Sequence, residues 1–309
     1  MKALVIGGNG FLGSSLIDGL RRDAVDVRVL DRSAPRQDFD WHGIDYRTGS
    51  LEDVSALVDM LDGIDAVYHL ASTTVPGTSN QDPVYDVASN VVGSLNLISA
   101  MSQACVRRIV FFSSGGTVYG VPRHLPVAES HVLHPISSYG VTKVAIENYL
   151  LMYQQLGTID PLILRPSNPY GPRQSAAGIQ GAVGAFLGRA LVNQGVTIWG
   201  DGETIRDYIY VDDLIRLAIK AGTSDVCGVY NAGSGMGLSL NELCGLIRDV
   251  TGAPLPAEHL PARKFDVPKV VLDISAACAE FNWAPDVSVK DGIARTWAAI
   301  KKKRDVEVP

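Results

Sequence analysis

One stretch near the start constrains the fold more than any other: Lys2-Ala3-Leu4-Val5-Ile6-Gly7-Gly8-Asn9-Gly10-Phe11-Leu12-Gly13. The apolar run 3–6 predicts a strand buried on both faces, as parallel strands are. The glycines then turn the chain into a helix that opens with Phe11 and Leu12. Gly7 allows the tight turn, Gly10 lets backbone approach a pyrophosphate, and Gly13 lets the helix pack closely. The free N–H groups and positive dipole end of that helix suit a phosphate. The next strand, Val27-Arg28-Val29-Leu30-Asp31, ends on a carboxylate about 20 residues further on, where it can accept from both hydroxyls of an adenosine ribose. A carboxylate there repels a 2′-phosphate, so NAD is favoured over NADP, and the adjacent Arg32 can soften that preference.

The chain has 309 residues, of which 46% are hydrophobic, so it can bury a substantial core. Its net charge of -6 argues against nucleic acid as the main partner. The basic run 301–304 reads as a solvated tail. Cys105, Cys227, Cys244 and Cys278 have no metal-binding spacing, so no metal is expected. Reduced thiols, no visible signal peptide and no membrane-length apolar run give the expectation of a cytoplasmic protein without a membrane partner.

Strands and helices alternate along the first half. Helical spacing appears at 51–61, 83–105 and 138–156, with strands at 65–71, 107–113 and 162–166 between them. The alternation predicts an α/β protein with a Rossmann-like, doubly wound parallel sheet. Leu70 and Ala71 fall at a strand end, which faces the cofactor crevice in such a sheet. His69 beside them reads as a hydrogen-bonded structural histidine rather than a catalytic one. Beyond residue 167 the rhythm changes to a Gly/Pro/Ser-rich connection and shorter elements. Residues 1–167 are expected to form the cofactor-binding domain. Residues 168–309 are expected to form mainly a smaller substrate domain, with a stretch near 207–232 returning to the first sheet.

Tyr139-Gly140-Val141-Thr142-Lys143 is the chemical centre. Tyr and Lys four apart share one helix face, and Ser137 or Ser138 can cap that helix. A neighbouring ammonium favours phenolate, which can take a proton from a sugar hydroxyl while hydride leaves the same carbon for NAD. Lys143 can also donate to the nicotinamide ribose.

These motifs, with the loop Ser113-Ser114-Gly115-Gly116-Thr117-Val118-Tyr119-Gly120, resemble the extended short-chain dehydrogenase/reductase family, and within it the nucleotide-sugar epimerases. The resemblance runs through Arg165-Pro166-Ser167-Asn168-Pro169-Tyr170 and Gly200-Asp201-Gly202-Glu203-Thr204-Ile205-Arg206-Asp207-Tyr208. It implies tightly held NAD, oxidation of a nucleotide-sugar at C4 to a 4-keto intermediate, and return of hydride to the other face. UDP-glucose and UDP-galactose are the simplest substrates. Tyr139 then matches the base, Lys143 its partner and Asn90 a cofactor-side amide. Asn168 matches a phosphate-contacting amide, and Arg206 and Arg263 match a pyrophosphate clamp. The family's usual catalytic serine is Gly115 here, which makes Ser114 the first choice for the sugar-binding hydroxyl and Thr117 the second. An adenine-contacting carboxylate aligns with Ser50, and a phosphate-side lysine aligns with Thr74. Gly116 and Thr117 occupy the positions of the Asp-Glu pair that dehydratases need. A keto-sugar reductase and a non-catalytic NAD-binding regulator are the competing readings. The resemblance also implies a homodimer formed by the helices at 83–105 and 138–156. It implies too that Val270, where hexose-only relatives carry a tyrosine, leaves room for an N-acetyl group.

Overall fold

The computed structural model describes residues 1–174, 181–262 and 267–307. The chain begins with β1 (Lys2–Ile6), α1 (Phe11–Arg22), β2 (Asp26–Asp31), β3 (Asp45–Thr48), α2 (Val54–Met60) and β4 (Ala66–His69). It continues through α3 (Pro83–Asp86), α4 (Gly93–Gln103), β5 (Arg108–Phe112), α5 (Ser138–Gln155), β6 (Asp160–Pro166) and β7 (Asn168–Tyr170). Then come α6 (Ala182–Leu191), β8 (Val196–Trp199), β9 (Ile205–Tyr210), α7 (Val211–Gly222), β10 (Gly228–Ala232) and β11 (Gly237–Ser239). The rest is α8 (Leu240–Thr251), β12 (Ala257–Leu260), β13 (Lys269–Val270), α9 (Ser275–Phe281) and α10 (Val289–Glu307).

Seven strands form one sheet in the order β10-β6-β5-β4-β1-β2-β3. The pairings from β3 through to β6 are parallel, as the strand–helix alternation predicts. Ala3, Leu4 and Val5 are wholly buried, which is why β1 can be apolar at every position. Leu4 and Ile6 share one apolar cluster with Val67, Leu97, Met101, Ile109, Phe111 and Leu150. Side chains like these each stabilise the fold by about 1.5–3 kcal/mol when fully buried. The strand order reverses direction at β1, between β2 and β4, and that reversal opens a crevice at their C-terminal ends.

The chain divides into two compact units. One comprises Met1–Tyr119, Leu133–Arg165 and Ile215–Tyr230; the other comprises Gly120–Val132, Pro166–Leu214 and Asn231–Pro309. The stretch near 207–232 therefore behaves in two ways. β10 joins the edge of the large sheet beside β6, but β9 is held in a separate four-stranded sheet with β11, β13 and β7. Backbone pairing explains the split: β9 is already paired to β11 antiparallel and to β13 and β7 parallel.

Two local readings change. β3, which looks like a polar loop, is an edge strand. Its Asp45 carboxylate, 2.7 Å from Arg28 Nε on β2, satisfies a charge that apolar patterning does not register. The long helix expected over 83–105 is interrupted by a π-helical segment, Val87–Val92. There the Asn90 side-chain amide donates to the Asp86 carbonyl at 3.1 Å, an acceptor the α-helical ladder would use. At α5 the cap is Ser137, whose hydroxyl accepts from Gly140 N–H at 3.2 Å.

Candidate active site

A cavity of about 500 Å³ lies at the C-terminal ends of β1, β2 and β4, wholly within the first unit. Gly7, Gly10, Asp31, Arg32, Leu70, Ala71 and Asn90 line it. Phe11, Leu12 and Gly13 form the first turn of α1 and are not in its lining. Gly7 has φ +86°, and a Cβ there would lie 2.8 Å from Ala71 N. A Cβ on Gly13 would lie 2.1 Å from Gly7 O, so the turn and the helix can close only on glycine. A Cβ on Gly10 would meet only Gly7 O, at an ordinary 3.4 Å. The protein's own packing therefore does not demand glycine at 10, whereas a ligand against the backbone would. Gly8 was not singled out by the motif, yet a Cβ there would lie 2.6 Å from Val29 Cγ1. No side chain caps the N-terminus of α1, so its first-turn N–H groups remain for an anion.

Asp31 sits at the end of β2 with its carboxylate fixed. Oδ2 accepts from Asn9 N–H at 3.0 Å, and Oδ1 accepts from Ser33 N–H at 3.0 Å and Ser33 Oγ at 2.7 Å. The Arg32 guanidinium reaches Tyr85 Oη at 3.4 Å across the cavity wall. These residues fit a dinucleotide: a tight glycine turn, an uncapped helix end and an oriented carboxylate in one cavity. Ser50 lines the same wall, and Glu52 supplies a carboxylate two residues later, which the alignment-based reading of Ser50 overlooks. Asn90 is committed internally. Its Oδ1 accepts from Thr73 N–H at 3.0 Å, and its Nδ2 donates to Asp86 Oδ1 at 2.8 Å.

Tyr139, Lys143, Ser114 and Thr117 all belong to this same unit. Lys143 is buried, and its Nζ donates to Phe112 O at 2.8 Å while lying 5.5 Å from the Tyr139 ring centre. Burial pulls the ammonium down to about 8, and the Glu147 and Asp86 carboxylates oppose that fall. Burial, aided by Asp86, pushes the Tyr139 phenol up to about 12, against a hydrogen bond with Ser114 that favours phenolate. In the protein alone the effects acting on this phenol are desolvation and the Asp86 carboxylate, which raise it, and the Ser114 hydrogen bond, which lowers it. Ser114 engages Tyr139 directly, whereas the Thr117 hydroxyl is buried without a hydrogen-bond partner.

Two further groups support the site. Glu147, one turn beyond Lys143, pairs with Arg165 at 2.6 Å in the interior, accepts from Ser113 Oγ, and Arg165 also donates to Tyr119 Oη at 2.9 Å. His69 is buried, with Nε2 2.8 Å from Ser94 Oγ. Ser94 spends its proton on Asn90 O at 2.7 Å, so His69 Nε2 is the donor. Burial, with Lys143 nearby, pulls His69 down to about 3, so it is a neutral structural group at physiological pH.

The second unit holds a separate pocket of about 290 Å³ beside β9. Asn168 and Arg206 line it with Phe186, Trp199 and Tyr208. Asn168 Nδ2 donates to Asp207 O at 2.8 Å, and Arg206 NH1 to Ile205 O at 2.9 Å. Asp207 is wholly buried and accepts from Ser234 N–H and Oγ, both at 2.8 Å, which anchors the strand carrying Arg206. A charged fork against aromatic walls suits a phosphorylated nucleoside. Val270 is paired with Arg206 across β13 and β9, is 2% exposed, and does not line this pocket. Arg263 lies outside the described residues.

The chain matches the model of the NAD dependent epimerase/dehydratase family over residues 3–233. A UDP-glucose 4-epimerase from Mycolicibacterium smegmatis is 36% identical over 312 residues, which cover 98% of this chain and 99% of the relative. A solved UDP-glucose 4-epimerase of Thermotoga maritima with UDP-glucose matches with a TM-score of 0.93 at 34% identity, covering 98% of this chain and all (100%) of the other. A Thermus thermophilus UDP-glucose 4-epimerase in complex with NAD matches with a TM-score of 0.91 at 32% identity, covering 97% of this chain and 99% of the other.

Proposed function

We propose the activity from one premise: this chain belongs to the NAD dependent epimerase/dehydratase family. The protein is an NAD-dependent nucleotide-sugar epimerase that interconverts UDP-glucose and UDP-galactose at C4. One observation carries this reading. A single compact unit holds the dinucleotide cavity, the Tyr139–Lys143 pair and a loop with hydroxyls but no acid. Gly116 and Thr117 cannot perform the proton shuttle of an elimination, which disfavours a dehydratase.

When bound here, NAD would supply the hydride acceptor and donor for the sugar C4. Gly7, Gly10, Gly13 and the start of α1 at Phe11 and Leu12 would hold its pyrophosphate. Asp31, beside Arg32, would accept from the adenosine ribose. Leu70 and Ala71 would form the floor, and Asn90 would act by fixing the backbone of Thr73 at the wall. Lys143 has three N–H donors and uses one on Phe112 O, leaving two for the second ribose. Tyr139 holds the O4 proton while C4 is a ketone and gives it back afterwards. Ser114 gives its one O–H to the Tyr139 oxygen and accepts from the sugar O4 hydroxyl, with Thr117 as the supporting hydroxyl. Asn168, Arg206 and Arg263 bind the nucleotide-sugar diphosphate.

The active form is a homodimer in the cytoplasm. Tyr149 and Met152 of α5 and Leu156 at its C-terminal cap, together with Val84, Tyr85, Val87 and Val92, are exposed apolar side chains on the segments expected to pair. Sedimentation giving a 33 kDa species at micromolar concentration would refute the dimer. The activity is tested by incubating the purified protein with UDP- and dTDP-hexoses and reading epimer ratios by NMR. Equilibration of UDP-glucose with UDP-galactose without added NAD is expected. Consumption of stoichiometric reduced cofactor would favour a reductase instead.

A further inference from the structure

Asp86 ends α3 with none of its surface exposed. Its Oδ1 accepts from Thr74 Oγ1 at 2.5 Å and from Asn90 Nδ2 at 2.8 Å. Its Oδ2 accepts from Ser138 Oγ at 2.6 Å. Asn90 belongs to the wall of the dinucleotide cavity and Thr74 directly follows its wall residue Thr73, while Ser138 is the first residue of α5, directly before Tyr139. One buried carboxylate therefore ties the cavity wall to the first turn of the helix that carries the base. None of the described ion pairs includes it. A buried charge held by hydrogen bonds alone is costly to keep unless its field does something.

We propose that Asp86 is a positioning residue for the epimerisation: it locks the Tyr139 turn against the cofactor wall and sets the charge state of the Tyr139–Lys143 pair. The proposal rests on the epimerase reading of the same site.

The groups acting on the pair come from every side. Lys143 stands on α5 itself, with Glu147 one turn beyond it and Arg165 paired to Glu147. The loop at 113–117 brings the Ser114 hydroxyl, β4 brings a neutral His69, and α3 brings Asp86. The Ser79 hydroxyl accepts from Tyr139 N–H at 3.0 Å, and Asn80 Oδ1 accepts from Ser138 N–H at 2.8 Å. Asp86 is thus the anion that opposes proton loss from both members of the pair: it disfavours phenolate and favours ammonium. Tyr139 and Lys143 each lose a proton beside the same carboxylate. Removing the neighbouring negative charge makes both steps easier, so both must move in the same direction, towards acid.

Asp86→Asn tests this with little change of shape. An amide nitrogen in place of Oδ2 can donate to Ser138, whose hydroxyl is able to turn and accept. The two limbs of the pH profile of kcat/KM for UDP-glucose are expected to shift together towards acid, by about one unit. Ser138→Ala keeps the charge and removes one hydrogen bond, so its limbs should stay in place although its rate falls. Limbs that do not move in Asp86→Asn, or that move apart, overturn the proposal. Titration of the Lys143 ε-carbon by NMR in the purified protein, assigned with Lys143→Met, is independent of turnover. It should fall from about 8 in Asp86→Asn, and an unchanged titration overturns the proposal even if the asparagine variant is inactive. Wild-type protein that epimerises no sugar nucleotide would sink the epimerase reading, while the lysine titration would still decide the role of Asp86. Should Asp86→Asn fail to fold, Thr74→Val is the second variant. It keeps the carboxylate and removes one of the hydrogen bonds that hold it, so, as with Ser138→Ala, its limbs should stay in place while kcat falls; an unchanged kcat would overturn the proposal.

Discussion

In the cavity at the ends of β1, β2 and β4, main-chain geometry sets the walls; in the pocket beside β9, side chains do. The first is assembled from short stretches that follow strand ends, and its lining is rich in glycine and serine. The second draws Tyr170, Phe186, Trp199, Arg206 and Tyr208 from elements spread over many residues. A dinucleotide offers the same phosphates and riboses to every protein that binds it, so backbone N–H groups and one carboxylate suffice. A nucleotide-sugar must be told from its relatives, and that needs shapes only side chains provide. The first region should therefore be intolerant at its glycines and its acid–base pair. The second should be tunable.

The largest effect is expected from Tyr139→Phe, which deletes the proton carrier and leaves the cavity walls alone. We expect kcat to fall by about 10²–10⁴-fold with bound NAD retained, read from turnover and from cofactor released on denaturation. Near-normal turnover would remove Tyr139 from the chemistry. A smaller loss is expected at the hydroxyls. Ser114→Ala should slow turnover more than Thr117→Ala, because Ser114 is bonded to Tyr139 while the Thr117 hydroxyl has no partner to lose. The reverse order would transfer the role to Thr117.

The glycines sharpen the comparison itself. Gly13→Ala forces a Cβ to 2.1 Å from Gly7 O, so it should lower the melting temperature and empty the cavity, at a cost of about 1–3 kcal/mol. Gly10→Ala finds room at 3.4 Å, so it should melt like the wild type yet carry less NAD. Equal melting losses in both variants would mean that packing, not the ligand, requires glycine at 10. The smallest effect is expected in the second region. Val270→Tyr should reduce the preference for UDP-N-acetylglucosamine over UDP-glucose by about tenfold in kcat/KM. Position 270 is buried, so an unchanged ratio would return Val270 to a packing role.

The two regions also differed in how far the sequence exposed them. Gly7, Gly13 and Asp31 were legible because each answers to a local rule: a positive φ, a contact within the same turn, a fixed distance along the chain. Asp86 gave no such signal. It lies at the end of a four-residue helix between Tyr85 and Val87, and its partners Thr74 and Ser138 are 12 and 52 residues away. Glu52 and the π-helical turn at Val87–Val92 were hidden for the same reason, since neither follows from spacing. In the second region Asn168 and Arg206 were named by resemblance, not by any rule of pattern.

By itself the sequence determined the parallel sheet, the dinucleotide turn and the Tyr139–Lys143 face, because strand burial, helix periodicity and glycine freedom act between near neighbours. Tertiary structure alone decided that β9 leaves the large sheet while β10 joins it, since that depends on which distant strands occupy their hydrogen-bonding edges. It also decided how readily Tyr139 and Lys143 give up a proton. Spacing puts Lys143 beside Tyr139, but the energy of a proton depends on burial and on every charge the fold brings near. Here the fold brought Asp86.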